Sequence, residues 1–185
     1  VATFTTPSIS STNNYFIDAT TSGITTLRRQ VTVTVVPLPT ITNTTPNSRC
    51  GTGTVTLEAT ASAGTINWYA TSTGGSLLGT GTSFTTPSIA ATTTYYVDAT
   101  NNGCATSSRT AVTATVNPLP ATPTITASSS TTFCAGGSVT LTSSLGNSYL
   151  WSTGATTQSI TVSNAGSYTV QVTNAAGCQS APSTA

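Results

Sequence analysis

The chain repeats itself. Residues 4–39 read FTTPSISSTNNYFIDATTSGITTLRRQVTVTVVPLP and residues 84–120 read FTTPSIAATTTYYVDATNNGCATSSRTAVTATVNPLP; the offset is 80 residues and becomes 81 after one inserted residue near Arg109. Phe, Pro, Tyr and Asp return in register with the threonines. Compositional bias would not do this, so duplication is the economical explanation. A looser match joins the middle to the end. Cys50-Gly-Thr-Gly-Thr-Val-Thr-Leu57 parallels Cys134-Ala-Gly-Gly-Ser-Val-Thr-Leu141, and Ile66-Asn-Trp68 parallels Tyr149-Leu-Trp151. Tyr95-Tyr-Val-Asp-Ala-Thr-Asn-Asn-Gly-Cys104 parallels Tyr168-Thr-Val-Gln-Val-Thr-Asn-Ala-Ala-Gly-Cys178. One plan recurs: Cys, strand, Trp, then Tyr and Cys.

The repeat sets expected boundaries. Residues 1–39 match only the second half of the plan, 40–120 a whole module, and 121–185 a module lacking its last strand. A 39-residue half module is too small to bury a core by itself. A partner or flanking sequence is expected to complete it, strand donation between chains being one route. The start, Val1-Ala2-Thr3-Phe4, shows no charged or hydrophobic signal-peptide region, so the chain reads as a fragment or a processed product.

Every segment reads as strand. Val31-Thr-Val-Thr-Val35, Val112-Thr-Ala-Thr-Val116, Ser138-Val-Thr-Leu141 and Ser159-Ile-Thr-Val162 alternate apolar and polar with period two. Alternation turns Tyr168, Val170 and Val172 inward, with Tyr95, Val97 and Ala99 as their counterparts, and leaves Tyr96 and Asp98 outward. No window carries a helical period with caps, and turn signals such as Gly74-Gly75 and Asn102-Gly103 follow at short intervals. The expectation is an all-β chain of antiparallel β-sandwich domains. Pro37-Leu-Pro39 and Pro118-Leu-Pro120 follow strands directly and read as short, semi-rigid joints, which suits an extended rod.

Composition removes whole classes of function. Only 4% of residues are charged, against about 25% in an ordinary globular protein. Four arginines, three acids and no Lys or His give a net charge of +1. That is too little positive charge for nucleic acid. It offers no histidine for a triad or a metal, and no cofactor is expected. Ser and Thr are abundant but have no base to activate them. The three acids (Asp18, Glu58 and Asp98) are spread too widely for a carboxylate pair. Asp18 and Asp98 share a repeat position and are expected in exposed surface pairs with Arg29 or Arg109, contributing about 0–1 kcal/mol each. No apolar run reaches the ~20 residues of a membrane span. Mean hydropathy of +0.11 also sets the chain apart from disordered sequences. Asn43-Thr-Thr45 is a glycosylation sequon, relevant only in a host that uses it.

Trp68 and Trp151 follow the first cysteine of their modules by 17–18 residues and are read as core, with a sugar-stacking platform as the competing role. Tyr69 and Tyr96 alternate with core positions and are the candidate surface ligand contacts. Of three possible pairings among four cysteines, the repeat favours one bridge per module, Cys50–Cys104 and Cys134–Cys178, at one rim of each sandwich. Ile24 replaces the second cysteine in the first copy. Disulfides imply an oxidising compartment, periplasmic, secreted or at the cell surface, with four free buried thiols in a cytosolic protein as the competing reading.

The order Cys-x-x-Gly-[ST]-Val-Thr-Leu, Trp, Thr-Thr-Tyr-Tyr-Val-x-Ala-Thr-Asn-Asn-Gly-Cys and Pro-Leu-Pro resembles bacterial immunoglobulin-like repeats. These are tandem modules of very large secreted or surface proteins of Bacteroidota, gliding adhesins among them. The end module resembles a related variety. The resemblance implies an immunoglobulin-like sandwich and a structural or adhesive role in an extracellular fibre, stalk or adhesin, with no catalytic residues to carry over. The implied partners are neighbouring copies, flanking domains of the same kind, or surface glycans. A glycan-binding module appended to a secreted enzyme is the alternative reading. Ice binding is a third, suggested by the T-x-T strands, but flat threonine ladders need strands in identical register, which 80-residue modules do not supply.

Overall fold

A computed structural model describes residues 2–185; Val1 lies outside the described residues. The described chain is all-β, without a helical residue. The first repeat copy contributes β1 (Asn13–Ile17), β2 (Thr20–Thr21), β3 (Ile24–Thr25) and β4 (Arg29–Val33). The middle segment contributes β5 (Ile41–Thr45), β6 (Asn47–Cys50), β7 (Thr56–Ala61), β8 (Thr65–Tyr69), β9 (Leu77–Thr80), β10 (Ser83–Thr85), β11 (Thr93–Asn101), β12 (Cys104–Ala105) and β13 (Thr110–Asn117). The end contributes β14 (Ile125–Ala127), β15 (Val139–Ser143), β16 (Ser148–Trp151), β17 (Ser159–Val162) and β18 (Val170–Thr173). Two compact units emerge, and their division passes through strands of the middle segment. One holds the stretches up to Thr45, Glu58–Phe84 and Tyr95–Val112; the other holds Pro46–Leu57, Thr85–Thr94 and Thr113–Ala185.

The middle segment forms a sheet in the order β6-β13-β11-β8-β9 and a second in the order β10-β7-β5. Period-two alternation becomes burial: Tyr95, Val97 and Ala99 of β11 are buried, and Tyr96, Asp98 and Thr100 between them are half-buried. Within the first unit Trp68 is fully buried. Its ring stacks on Phe84 with centroids 5.4 Å apart, and Phe84 meets Tyr95 edge-on at 5.3 Å. The indole N–H would be costly to bury unpaired; it donates to the Gly81 carbonyl at 2.9 Å. The β11–β12 connection is a two-residue hairpin in which Asn102 and Gly103 take φ of 48° and 80°, the left-handed pair that Asn-Gly accommodates at low cost.

In the second unit β14-β15-β17 and β16-β18 form two small sheets. Val139, Leu141, Trp151, Val162 and Val170 make the core, with Tyr168 half-buried against it. The Trp151 indole repeats the device of Trp68 and donates to the Thr157 carbonyl at 2.8 Å. Residues 179–183, which the repeat left without a strand counterpart, run alongside β18. The amides of Ser180 and Ser183 donate to the Val172 and Val170 carbonyls. The amides of Val172 and Val170 donate to the Ser180 and Ser183 hydroxyls at 3.1 Å each. Serine side chains thus replace backbone acceptors where Pro182 irregularises the tail.

The first copy is barer. Among the described residues β1 pairs only with β4, placing Tyr15 opposite Val31, and β4 spans Arg29–Val33 rather than 31–35. Ile17 and Val31 occupy the positions of the buried Val97 and Val112 but are 58% and 52% exposed. With Phe4, Tyr15 and Val33 they line an open apolar face. Threonine has a clear use throughout. Thr20 meets Thr25, Thr56 meets Thr85, and Thr140 meets Thr161, hydroxyl to hydroxyl at 2.8–3.2 Å, so the β-branch packs on the pleat while the oxygen pairs across strands.

Candidate functional site

Two places gather the residues singled out by sequence. The first is the outer face of β8 and β11, where Tyr69 stands opposite Tyr96 and Asn67 opposite Asp98. Arg109 lies across this face. Its Nε sits 3.2 Å from Asp98 Oδ2, and its Nη1 donates to the carbonyls of Thr71 at 2.8 Å and Gly74 at 2.6 Å. Its Cζ sits 3.2 Å above the Tyr69 ring. Asn67 completes the carboxylate's bonding at 2.9 Å.

Two expectations are corrected here. Tyr69 and Tyr96 are half-buried rather than exposed, and the Tyr69 ring, a candidate surface ligand contact, already carries a guanidinium. The Asp98–Arg109 pair is not a loose surface contact: its side chains are 13% and 14% exposed. The matching Asp18 pairs with Arg28, not Arg29, at 3.2 Å, because the inserted residue lies before Arg109 and makes Arg28 its counterpart. That pair is open, with the arginine 68% and the aspartate 36% exposed. Among the described residues β1 has no neighbour equivalent to β8 to supply the tyrosine or the loop carbonyls. Chemically, the cluster holds the loop after β8 in place: Gly74 and Gly75 both take positive φ there, and the arginine binds the carbonyls of Thr71 and Gly74.

The second place is the junction around Pro118-Leu-Pro120, entirely within the second unit. Cys50 ends β6, which runs parallel to β13 so that Cys50 stands beside Asn117, and the Gly51 amide donates to the Asn117 carbonyl at 2.9 Å. Leu119 packs over Gly51; a Cβ added there would lie 3.2 Å from it. From the end module, the Asn174 side chain donates to the Pro118 carbonyl at 2.9 Å. Its Oδ1 accepts from the amides of Ala176 and Cys178 at 3.0 Å each, shaping the loop that presents Cys178. Cys178, fully buried, is bonded to Cys50, with 5.5 Å between Cα atoms.

This overturns the expected pairing. Cys50–Cys104 and Cys134–Cys178 do not form; Cys104 and Cys134 are free thiols, the first half-buried and the second exposed. For Cys50 and Cys104, strand length supplies the reason. The Val116 amide donates to Thr92 Oγ1 at 3.0 Å, so the end of β13, where Cys50 sits, lies at the start of β11. Cys104 pairs with Asn101 at the opposite end of that nine-residue strand. At about 3.3 Å per residue the two cysteines stand on the order of 25 Å apart, far beyond disulfide reach. Cys134 opens onto a groove of ≈ 810 Å³ between Phe133, Leu141, Val162, Tyr168 and the last two residues, Thr184 and Ala185.

Among the described residues no three of His, Cys, Asp and Glu come together as metal ligands. No helix is long and apolar enough to cross a membrane.

Residues 38–118 match the family model described as an Ig-like domain, CHU_C associated. No curated protein matches the chain. Among solved structures it is similar to the fibronectin(III)-like modules of Clostridium thermocellum CbhA, at 12% identity and a TM-score of 0.42, over 78% of this chain and 90% of that one. The middle segment is thus similar in sequence to an Ig-like domain over residues 38–118, and it folds as β-sheets with a buried tryptophan.

Proposed function

We propose that the chain is a stretch of tandem Ig-like modules, bounded at 1–39, 40–120 and 121–185, in an extracellular fibre, stalk or surface adhesin, and that it holds or spaces rather than catalyses. The observation that carries this reading is the junction. A covalent bridge, a side-chain hydrogen bond to Pro118 and the packing of Leu119 all act on the joint between two successive modules. A joint with three restraints resists bending, which a spacer needs and a floppy linker lacks. The disulfide suits an oxidising compartment. Against the glycan-binding alternative, Trp68 and Trp151 are buried and Arg109 covers Tyr69, one of the two candidate surface contacts.

The test is to locate and image the native protein. Protease added to whole cells should cleave it, and electron microscopy of the released material should show extended strings of domains. An intracellular pool untouched by the protease, or isolated globular particles, would overturn the reading.

A further inference from the structure

The bridge has a direction. By repeat position Cys50 and Cys134 are first cysteines of their modules, and Cys104 and Cys178 are second cysteines. The structure bonds the first cysteine of one module to the second cysteine of the next. The two thiols left over are one of each kind: Cys104, a second cysteine, and Cys134, a first.

Their places in the modules correspond to those of the bonded pair. Cys50 stands beside the last residue of β13; Cys134 shares its groove with the chain's last residues, Thr184 and Ala185, which extend the tail that runs along β18. Cys178 is presented by the loop that begins at Asn174, and Cys104 by the hairpin that begins at Asn101, the matching asparagine. The same repeat positions, bonded at one junction and open at the other two places, point to the ligand each thiol takes.

We propose that Cys104 and Cys134 are the open ends of a module-to-module disulfide relay. Cys134 bonds the second cysteine of an adjoining Ig-like module on its C-terminal side, of the Asn-…-Gly-Cys type. Cys104 bonds the first cysteine of one on its N-terminal side, of the Cys-x-x-Gly type. The adjoining module comes from the same polypeptide or from another molecule. Each bond forms from two thiols, which release two protons and pass two electrons to a disulfide-type oxidant; that oxidant leaves as a pair of thiols. This rests on the tandem-module reading above and adds how the tandem is fastened.

The experiment is peptide mapping of the native protein, alkylated without reduction before digestion. The expected result is two mixed peptides beside Cys50–Cys178: Cys134 joined to a Gly-Cys peptide of another module, and Cys104 joined to a Cys-x-x-Gly peptide. Electrophoresis with and without reductant separates the two sources. The mass falls on reduction if the partner is another molecule and is unchanged if it is the same polypeptide. The relay is overturned if both cysteines are alkylated, if they are joined to each other, or if Cys50–Cys104 and Cys134–Cys178 are found instead. Alkylated thiols in material that still forms extended strings would remove the relay and leave the stalk reading standing. A second measurement uses the 185-residue chain, folded with oxidised glutathione. Alkylation under native conditions should label Cys104 and Cys134 and spare Cys50 and Cys178, and the reverse pattern would also overturn the proposal.

Discussion

Asp18 and Asp98 occupy one position of the repeat, yet they do different amounts of work. Asp98 accepts from Arg109 and Asn67 on a face closed by Tyr69, whereas Asp18 meets Arg28 in the open. A charge pair taken out of water leaves an uncompensated ion when one partner is removed. Asp98→Asn should therefore lower unfolding free energy by about 2–4 kcal/mol, the low end reflecting the loop carbonyls that still bind the guanidinium, and Asp18→Asn by less than about 1 kcal/mol. Urea denaturation of the two variants decides it, and equal losses would contradict the burial difference. Tyr95 gives a pH signature. Burial in the core pushes its phenol above the ordinary value. The unfolded chain gives up that proton near pH 10 while the folded chain still holds it, so the folded state binds more protons. The associated stability is whole below about pH 10 and is lost as pH rises through the folded value. Tyr95→Phe should accordingly lose less stability than wild type between about pH 9 and pH 11, read from denaturant midpoints.

At the scale of the element, β18 shows what side chains can add to a ladder. Val170 and Val172 send their amides to serine hydroxyls of the tail rather than to carbonyls. Ser180→Ala removes the acceptor from a buried amide, with an expected cost of about 1–3 kcal/mol and faster hydrogen exchange at Val172. An unchanged exchange rate would mean that another acceptor takes over. This tail was hidden in the sequence because its pairing uses Ser, Pro and Ala, none of them an alternating strand signal. The inward sets Tyr95, Val97 and Val170, and the tryptophans beside them, were legible because alternation is a local property that survives whatever the rest of the chain does. The cover over Tyr69 was not. It depends on Arg109, forty residues away, whose counterpart in the first copy is fixed by where one inserted residue falls. The cysteine partners were hidden for a related reason. Similarity between modules suggests that each closes on itself, but the length of β11 holds Cys50 and Cys104 at opposite ends, and the nearest second cysteine belongs to the next module.

At the scale of the whole molecule the bridge closes a loop with a sequence separation of 128 residues. Closing so long a loop removes much freedom from the unfolded chain, about 5 kcal/mol in the chain-entropy model, with measured bridges more often giving 2–4 kcal/mol. Cys50→Ser combined with Cys178→Ser should lower the melting temperature by on the order of 5–15 °C for a chain of this size. Cys104→Ser combined with Cys134→Ser should leave it unchanged, since neither thiol is bonded within the chain. The loss should also be uneven. Without the bridge, Asn174 and Leu119 still reach across the joint, but each is a single weak contact. The amides of Gly51 and Cys178 should then exchange faster, while those of Val97 and Val139, deep in their own cores, stay protected until global unfolding. Calorimetry and hydrogen exchange on the two double variants separate the cases: uniform loss of protection would make the bridge a property of the cores, and loss confined to the junction makes it a property of the joint.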